Sequence, residues 1–421
     1  MKKMSLKLKE HYISNIRKKK RKYNKKNKKR KNVNKNITAV KEHFLLKILK
    51  EKKFYSKKLE NKDIFFEVPE VFSFSKNPEE TITKLKELTY ILENSFIGNI
   101  ININYNKCKY LGLSASGVMD AIITEYRDYK YLQFQGTMSE DNNVNIILKH
   151  SGIIKHLNAT VNGEILESLS KIEVLPWLKN ADHTKSATEV YNYFSKCLAK
   201  QGFTFKKEGE AYLLDMISEV VQNCSYHGGK FAQWYILGHT NEMDDGQEEM
   251  QISIFNFGNT IYESYYQEES SEDMKKRLED VYNQYYKKNK EKPNKEIICT
   301  LYSLQDKVSR FWVKNNNMED QRYSNTRGSG MMTLIRNLYA IGDSNKNENN
   351  PIMSITSGKV NIVFDKYNNK NMTFNKENSI TSPPDKNNVK YMKNSFPGTI
   401  ISMKFYLDKK YIGGLINGKK Q

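Results

Sequence analysis

The sequence predicts an α+β protein, two globular units behind a basic tail, and three observations predict it. Residues 1–40 hold 17 Lys or Arg and one acid, Glu10, so +16 of the formal net charge of +21 sits at one end. From about residue 54 to 157, short strand-like runs alternate with helical periodicities, the pattern of an open α/β layer. From about residue 205, a long amphipathic helix is followed by two strand-like runs, so a second sheet carries helices of its own.

The tail comes first. Lys18-Lys-Lys-Arg-Lys22 and Lys25-Lys-Asn-Lys-Lys-Arg-Lys31 repel themselves and bring almost no apolar side chains. Residues 1–53 are therefore expected to be disordered or transiently helical. Such a tail either binds RNA, DNA or an anionic membrane through counterion release or is simply solvated, and the residues leave both readings open. Tyr12 and Tyr23 are the only aromatics in residues 1–40, too few for a platform on which bases stack. The remaining 52 basic and 47 acidic residues leave +5, too even a balance for a polyanion binder. No segment approaches the apolar length of a membrane span, and the N-terminus lacks the apolar run of a secretory signal. Cys108, Cys197, Cys224 and Cys299 form no C-x-x-C pair, which argues against zinc or a disulfide framework and fits a reducing, cytoplasmic setting.

In the unit 54–157, Asn99 to Tyr105 reads as a strand, Gly117 to Tyr129 as a helix, Lys130 to Gln135 as a strand and Val144 to Leu157 as a helix. The run Cys108-Lys-Tyr-Leu-Gly-Leu-Ser-Ala-Ser116-Gly117-Val-Met-Asp resembles a STAS domain, where an Asp-Ser-Ser-Gly turn opens a helix. Ser116 matches the phosphorylatable serine of that family, with Ser114 at its Asp position. The residue-level alternative for Ser116 is plain N-capping, which serine does well.

Residues 158–204 join the units. Within them His183 to Ala199, with Val190, Tyr191, Tyr193, Phe194, Cys197 and Leu198, predicts a connecting helix that packs on the second unit or on a second copy.

The second unit, 205–409, begins with a helix whose buried stripe is Leu213, Leu214, Ile217, Val220 and Val221. Glu219 and Asn223 share a face beside it, four residues apart, and His227 extends their row. A carboxylate there can take a proton from water, and a carboxamide oxygen can bind a hard cation such as Mg²⁺. Gly228-Gly229 ends the helix. Phe231 to Leu237 and Met250 to Phe257 read as strands around a polar loop, Asn241 to Glu249. Met274 to Lys290 predicts a further helix stopped by Pro293. Arg327-Gly328-Ser329-Gly330 opens a helix, Met332 to Tyr339, and offers backbone N–H groups to phosphate. Pro397-Gly398-Thr399 leads into the strand Ile400 to Tyr406.

This order of parts resembles the GHKL ATPases: gyrases, MutL-type proteins and histidine kinases. The resemblance covers roughly Phe205 to Leu407 and implies a Bergerat-type α/β sandwich, a mixed sheet with helices on one face, binding ATP and Mg²⁺. It implies that Glu219 is the acid that polarises the attacking water or phosphoacceptor, and that Asn223 is the Mg²⁺ ligand. His227, Gly258, Arg327, Gly328, Ser329 and Gly330 would line the nucleotide. Asn256 falls where the family's Asp reads the adenine amino group, and Thr399 would support that pocket. Three residues depart from the family: Asn256 for Asp, Thr260 for the second glycine of that turn, and Tyr226 where many histidine kinases place a Lys.

None of the seven His residues, at positions 11, 43, 150, 156, 183, 227 and 239, is followed by Asp or Glu, so a His-autophosphorylating kinase is not expected. Gly413-Gly-Leu-Ile-Asn-Gly418-Lys419 has P-loop spacing, but Lys420 stands where Ser or Thr should bind Mg²⁺, so 410–421 reads as a flexible tail. Two functions remain. One is a nucleotide-gated ATPase or Ser/Thr kinase whose lid, 261–326, closes and signals to a partner or a second copy. The other is a non-catalytic scaffold with a degenerate nucleotide site, tethered to nucleic acid by its tail.

Overall fold

The structure, a computed structural model, describes residues 63–95, 99–130, 132–154, 175, 178–179, 183–200, 203–227, 233–242, 247–267, 270–305, 308, 334–335, 337–338, 351–364, 386–408 and 416–417. The basic tail lies outside them, and so do Arg327, Gly328, Ser329 and Gly330.

The N-terminal unit opens with β1 (Ile64–Glu67) and β2 (Val71–Phe72). Helix α1 (Pro78–Asn94) starts with proline at its first turn, where a missing N–H costs nothing, and with Glu79 and Glu80 against the positive end of the helix. After β3 (Ile100–Asn104) and β4 (Tyr110–Leu111) come α2 (Leu113–Lys130), β5 (Gln133–Thr137) and α3 (Asn142–Ser151). Strands β1, β3 and β5 are adjacent and parallel, with α1 and α2 in the connections between them. Asp141 caps α3 through the N–H of Asn143, and Gly152 ends it at φ 82, in the left-handed region.

A two-residue strand β6 (Leu178–Lys179) and helix α4 (His183–Lys200) lead into β7 (Thr204–Phe205) and α5 (Lys207–His227). Long strands β8 (Gln233–Glu242) and β9 (Gln247–Phe257) come after them, so both ends of the expected polar loop from Asn241 to Glu249 belong to strands. Three helices are next: α6 (Ile261–Tyr265), α7 (Glu272–Asn289) and α8 (Lys295–Ser303). Strands β10 (Ile352–Phe364), β11 (Val389–Asp408) and β12 (Ile416–Asn417) complete the order. The main sheet runs β10-β11-β9-β8-β6, and every pairing in it is antiparallel. The expected mixed sheet is thus divided: the parallel pairs belong to the N-terminal unit. The segment 410–421, expected to be a loose tail, contributes β12, which pairs with β7 and sets Ile416 opposite Phe205.

Both faces of the main sheet are covered, where one was expected. Side chains alternate along a strand, so each strand feeds two cores. Trp234, Ile236, Ile252, Ile254, Ile401 and Met403 pack under α4 and α5, joined by Leu334, Ile335 and Leu338. The connecting helix α4 therefore packs on this sheet. Tyr235, Leu237, Phe255, Phe257, Phe396 and Ile400 face the other way and share one continuous core with the N-terminal unit. That face is aromatic: Tyr235 stacks on Phe255 at 5.0 Å, and Phe396 meets Phe74 of the first unit at 5.7 Å. An open antiparallel sheet can leave one face to water only when that face is polar, and this one is not.

Gly117 is explained by the same contact. A Cβ there would lie 2.8 Å from Leu237 Cδ1 and 3.2 Å from Phe255, so glycine lets α2 approach the sheet. Ser116 does not open the helix. Helix α2 begins at Leu113, and the Ser116 N–H already donates to Gly112 O at 3.0 Å. The Ser116 side chain is wholly buried and bonds Ser151 Oγ at 2.7 Å, which leaves no room for a phosphate in this conformation. Ser116 is a packed residue inside the first turns of α2, where a cap was expected.

Candidate nucleotide site

Helix α5 carries three of the expected site residues, Glu219, Asn223 and His227. Leu213, Met216, Ile217, Val220, Val221 and Cys224 are buried against the sheet, which fixes the helix rotation and leaves Glu219 and Asn223 half-buried on its flank. Asn223 Nδ2 donates to Glu219 Oε1 at 3.2 Å. With its nitrogen so used, the carboxamide has its oxygen left for a hard cation. Burial raises the Glu219 carboxyl above its ordinary value, the Asn223 bond opposes this, and the charge of Asp215 adds to it. A carboxylate held in this way is a better proton acceptor than one in water. Cys224, buried one residue further on, has its thiol pushed up to about 12 by desolvation, so it is core and not a nucleophile. His227 is the last residue of α5.

A second group of the expected residues lies on β9 and β11, which run side by side with Asn256 opposite Thr399 and Phe257 opposite Gly398. The Thr399 N–H donates to Asn256 Oδ1 at 3.1 Å, and the Gly258 N–H donates to Pro397 O at 3.2 Å. Gly398 sits at φ 140, and a Cβ on it would lie 1.9 Å from Asn256 O. Only glycine allows this approach. Thr260, which departs from the family's second glycine, does a different job. It has φ −70 and caps α6 in a reciprocal box with Glu263, so no left-handed residue is required there.

Two residues that the sequence did not point to tie neighbouring elements to these strands. Ser357 Oγ lies 2.9 Å from Thr399 Oγ1 and accepts the Ile261 N–H at 2.8 Å, so it ties α6 to the Gly-Thr turn. Glu296 of α8 accepts the Lys359 N–H at 2.7 Å and the Tyr391 hydroxyl at 3.1 Å. Neither had a local signal, because each acts on partners 42 to 96 residues away. The described part of the expected lid is a three-helix body with its own core of Tyr265, Met274, Leu278, Tyr282 and Tyr302.

Among the described residues, no cluster of three or more His, Cys, Asp or Glu could hold a metal unaided. A shallow cleft at the carboxyl ends of β1 and β3, lined by Glu67, Glu70, Lys84, Lys107 and Lys109, is a separate feature. Two of its exposed charges, Lys109 and Glu70, pair with each other at 2.7 Å. None of the described helices is long and apolar enough to cross a membrane. No family model, no curated protein and no solved structure matches this chain.

Proposed function

We propose that this chain is a Mg²⁺-nucleoside triphosphate switch of the GHKL type. The observation that carries this reading is the Thr399 N–H to Asn256 Oδ1 bond, which joins two motifs 143 residues apart in sequence. The Glu219–Asn223 pair on α5 supports it. In this reading, Asn223 Oδ1 would hold the cation. Bound Mg²⁺ would supply charge neutralisation at the phosphate oxygens. Glu219 orients a water and takes its proton, at a carboxylate that burial has made more basic. The α6–α8 body, tied to the Gly-Thr turn through Ser357, is the element that would carry the bound state to a partner.

Calorimetry with ATP and GTP at millimolar concentration tests the proposal. Binding should depend on Mg²⁺ and be lost in Asn223→Ala. Glu219→Gln should keep binding and lower turnover by ~10²–10⁴-fold. If neither nucleotide binds, the chain is the scaffold that the sequence also allows.

A further inference from the structure

Asn256 is the residue that the switch reading sets against the purine six-position, and its choice of base rests on that reading. The Thr399 main-chain N–H can only donate, so the Asn256 atom facing it at 3.1 Å must be the oxygen. That contact fixes the carboxamide orientation. A planar amide with its oxygen turned to β11 directs its nitrogen elsewhere, and among the described residues no hydrogen bond engages Nδ2. Asn256 is only 2 % exposed, so the protein rather than bulk water sets the direction of its carboxamide. Register keeps the side chain in place: Asn256 sits between Trp234 of β8 and Thr399 of β11, on the face that α5 covers.

The two purine classes differ at the atom such a residue meets. Adenine presents an amino group, a donor. Guanine and hypoxanthine present a carbonyl, an acceptor. A carboxylate offers only acceptors and suits the amino group. Asn256, whose oxygen is turned to the Thr399 N–H, points its amide nitrogen away from β11, and a donor there suits the carbonyl. We propose that this site takes 6-oxopurine nucleotides, GTP or ITP, in preference to ATP. Two donors facing each other in a dry site leave both unpaired, and the preference should reach at least about tenfold.

The test is competition calorimetry on the full chain with Mg²⁺ and the β,γ-imido analogues of GTP, ITP and ATP. The inosine analogue carries the six-carbonyl without the two-amino group, so it isolates the contact proposed. The guanosine and inosine analogues should both bind at least about tenfold more tightly than the adenosine analogue. Asn256→Asp should reverse the order. Equal or tighter binding of the adenosine analogue by the unaltered chain overturns the base preference and leaves the switch reading standing. Absence of binding by all three overturns both. The ranking in the unaltered chain decides the matter even if Asn256→Asp fails to fold.

Discussion

Gly398 shows how much one residue can specify. Its φ of 140 is strained for any side chain, and the carbonyl of Asn256 occupies the place of a Cβ. Gly398→Ala should destabilise the fold by about 2–3 kcal/mol through backbone strain, with the clash adding to it. Urea unfolding measures this, and an unchanged midpoint would mean that β9 and β11 are not this close. The carboxamides make a related point. Asn223 and Asn256 are each oriented by one partner, Glu219 and the Thr399 N–H, yet in opposite senses: one keeps its oxygen and the other its nitrogen. Composition treats them alike, and their neighbours do not.

At the scale of elements, the α6–α8 body has a core of its own and also leans on the core of the main sheet through Ile261, Ile297, Leu301 and Leu304. Glu296 is its polar anchor in the hollow at Gly358, where φ is 59 and a Cβ would lie 2.2 Å from the carboxylate. The strand β10 breaks register at that place, between Ser357 and Val360. Hydrogen bonds to a charged acceptor contribute about 1.5–3 kcal/mol, discounted here because the Tyr391 side is exposed. Glu296→Ala should therefore raise amide hydrogen exchange across residues 261–303 while β8, β9 and β11 stay protected. Equal exchange in the variant and the parent would show that the body is held by other contacts.

At the scale of the molecule, the seam between the N-terminal unit and the sheet contains a titratable pair. His150 of α3 and His239 of β8 meet edge to face at 4.2 Å, and both are buried. Among the described residues, no well-formed hydrogen bond reaches either His150 nitrogen or His239 Nδ1. Burial lowers His150 to about 2, helped by His239 and by Lys149 on its own helix and opposed weakly by the Gly238 main chain. It lowers His239 to about 3, helped by Lys404, which Glu249 pairs at 2.8 Å. The folded pair is thus neutral, while the unfolded chain takes up two protons near pH 6.5. Stability contributed by the neutral pair is present above pH 6.5 and is lost as pH falls toward about 3. By pH 5 each ring accounts for about 2 kcal/mol. Urea unfolding at pH 7.5, 6 and 5 should show this decline, and His150→Leu should remove about half of it. Identical pH profiles for variant and parent would remove the pair from the account.

What the sequence determined by itself was local. Helices α4, α5 and α7 arise from apolar spacing, and Glu219 and Asn223 share a face because the helical repeat puts residues four apart on one side. Where a helix begins was less legible. Serine at 116 looks like a cap, but the helix begins three residues earlier, at Leu113, and the Ser116 N–H is already bonded to Gly112 O. Only the tertiary structure decided the rest. The meeting of Asn256 with Thr399, the docking of Glu296 beside Gly358 and the burial of the aromatic sheet face by α1, α2 and α3 join residues far apart in the chain. Such contacts leave no period in the sequence. A strand encodes which side chains point to each face, but what covers that face is set by the whole packing, and here it is the N-terminal unit.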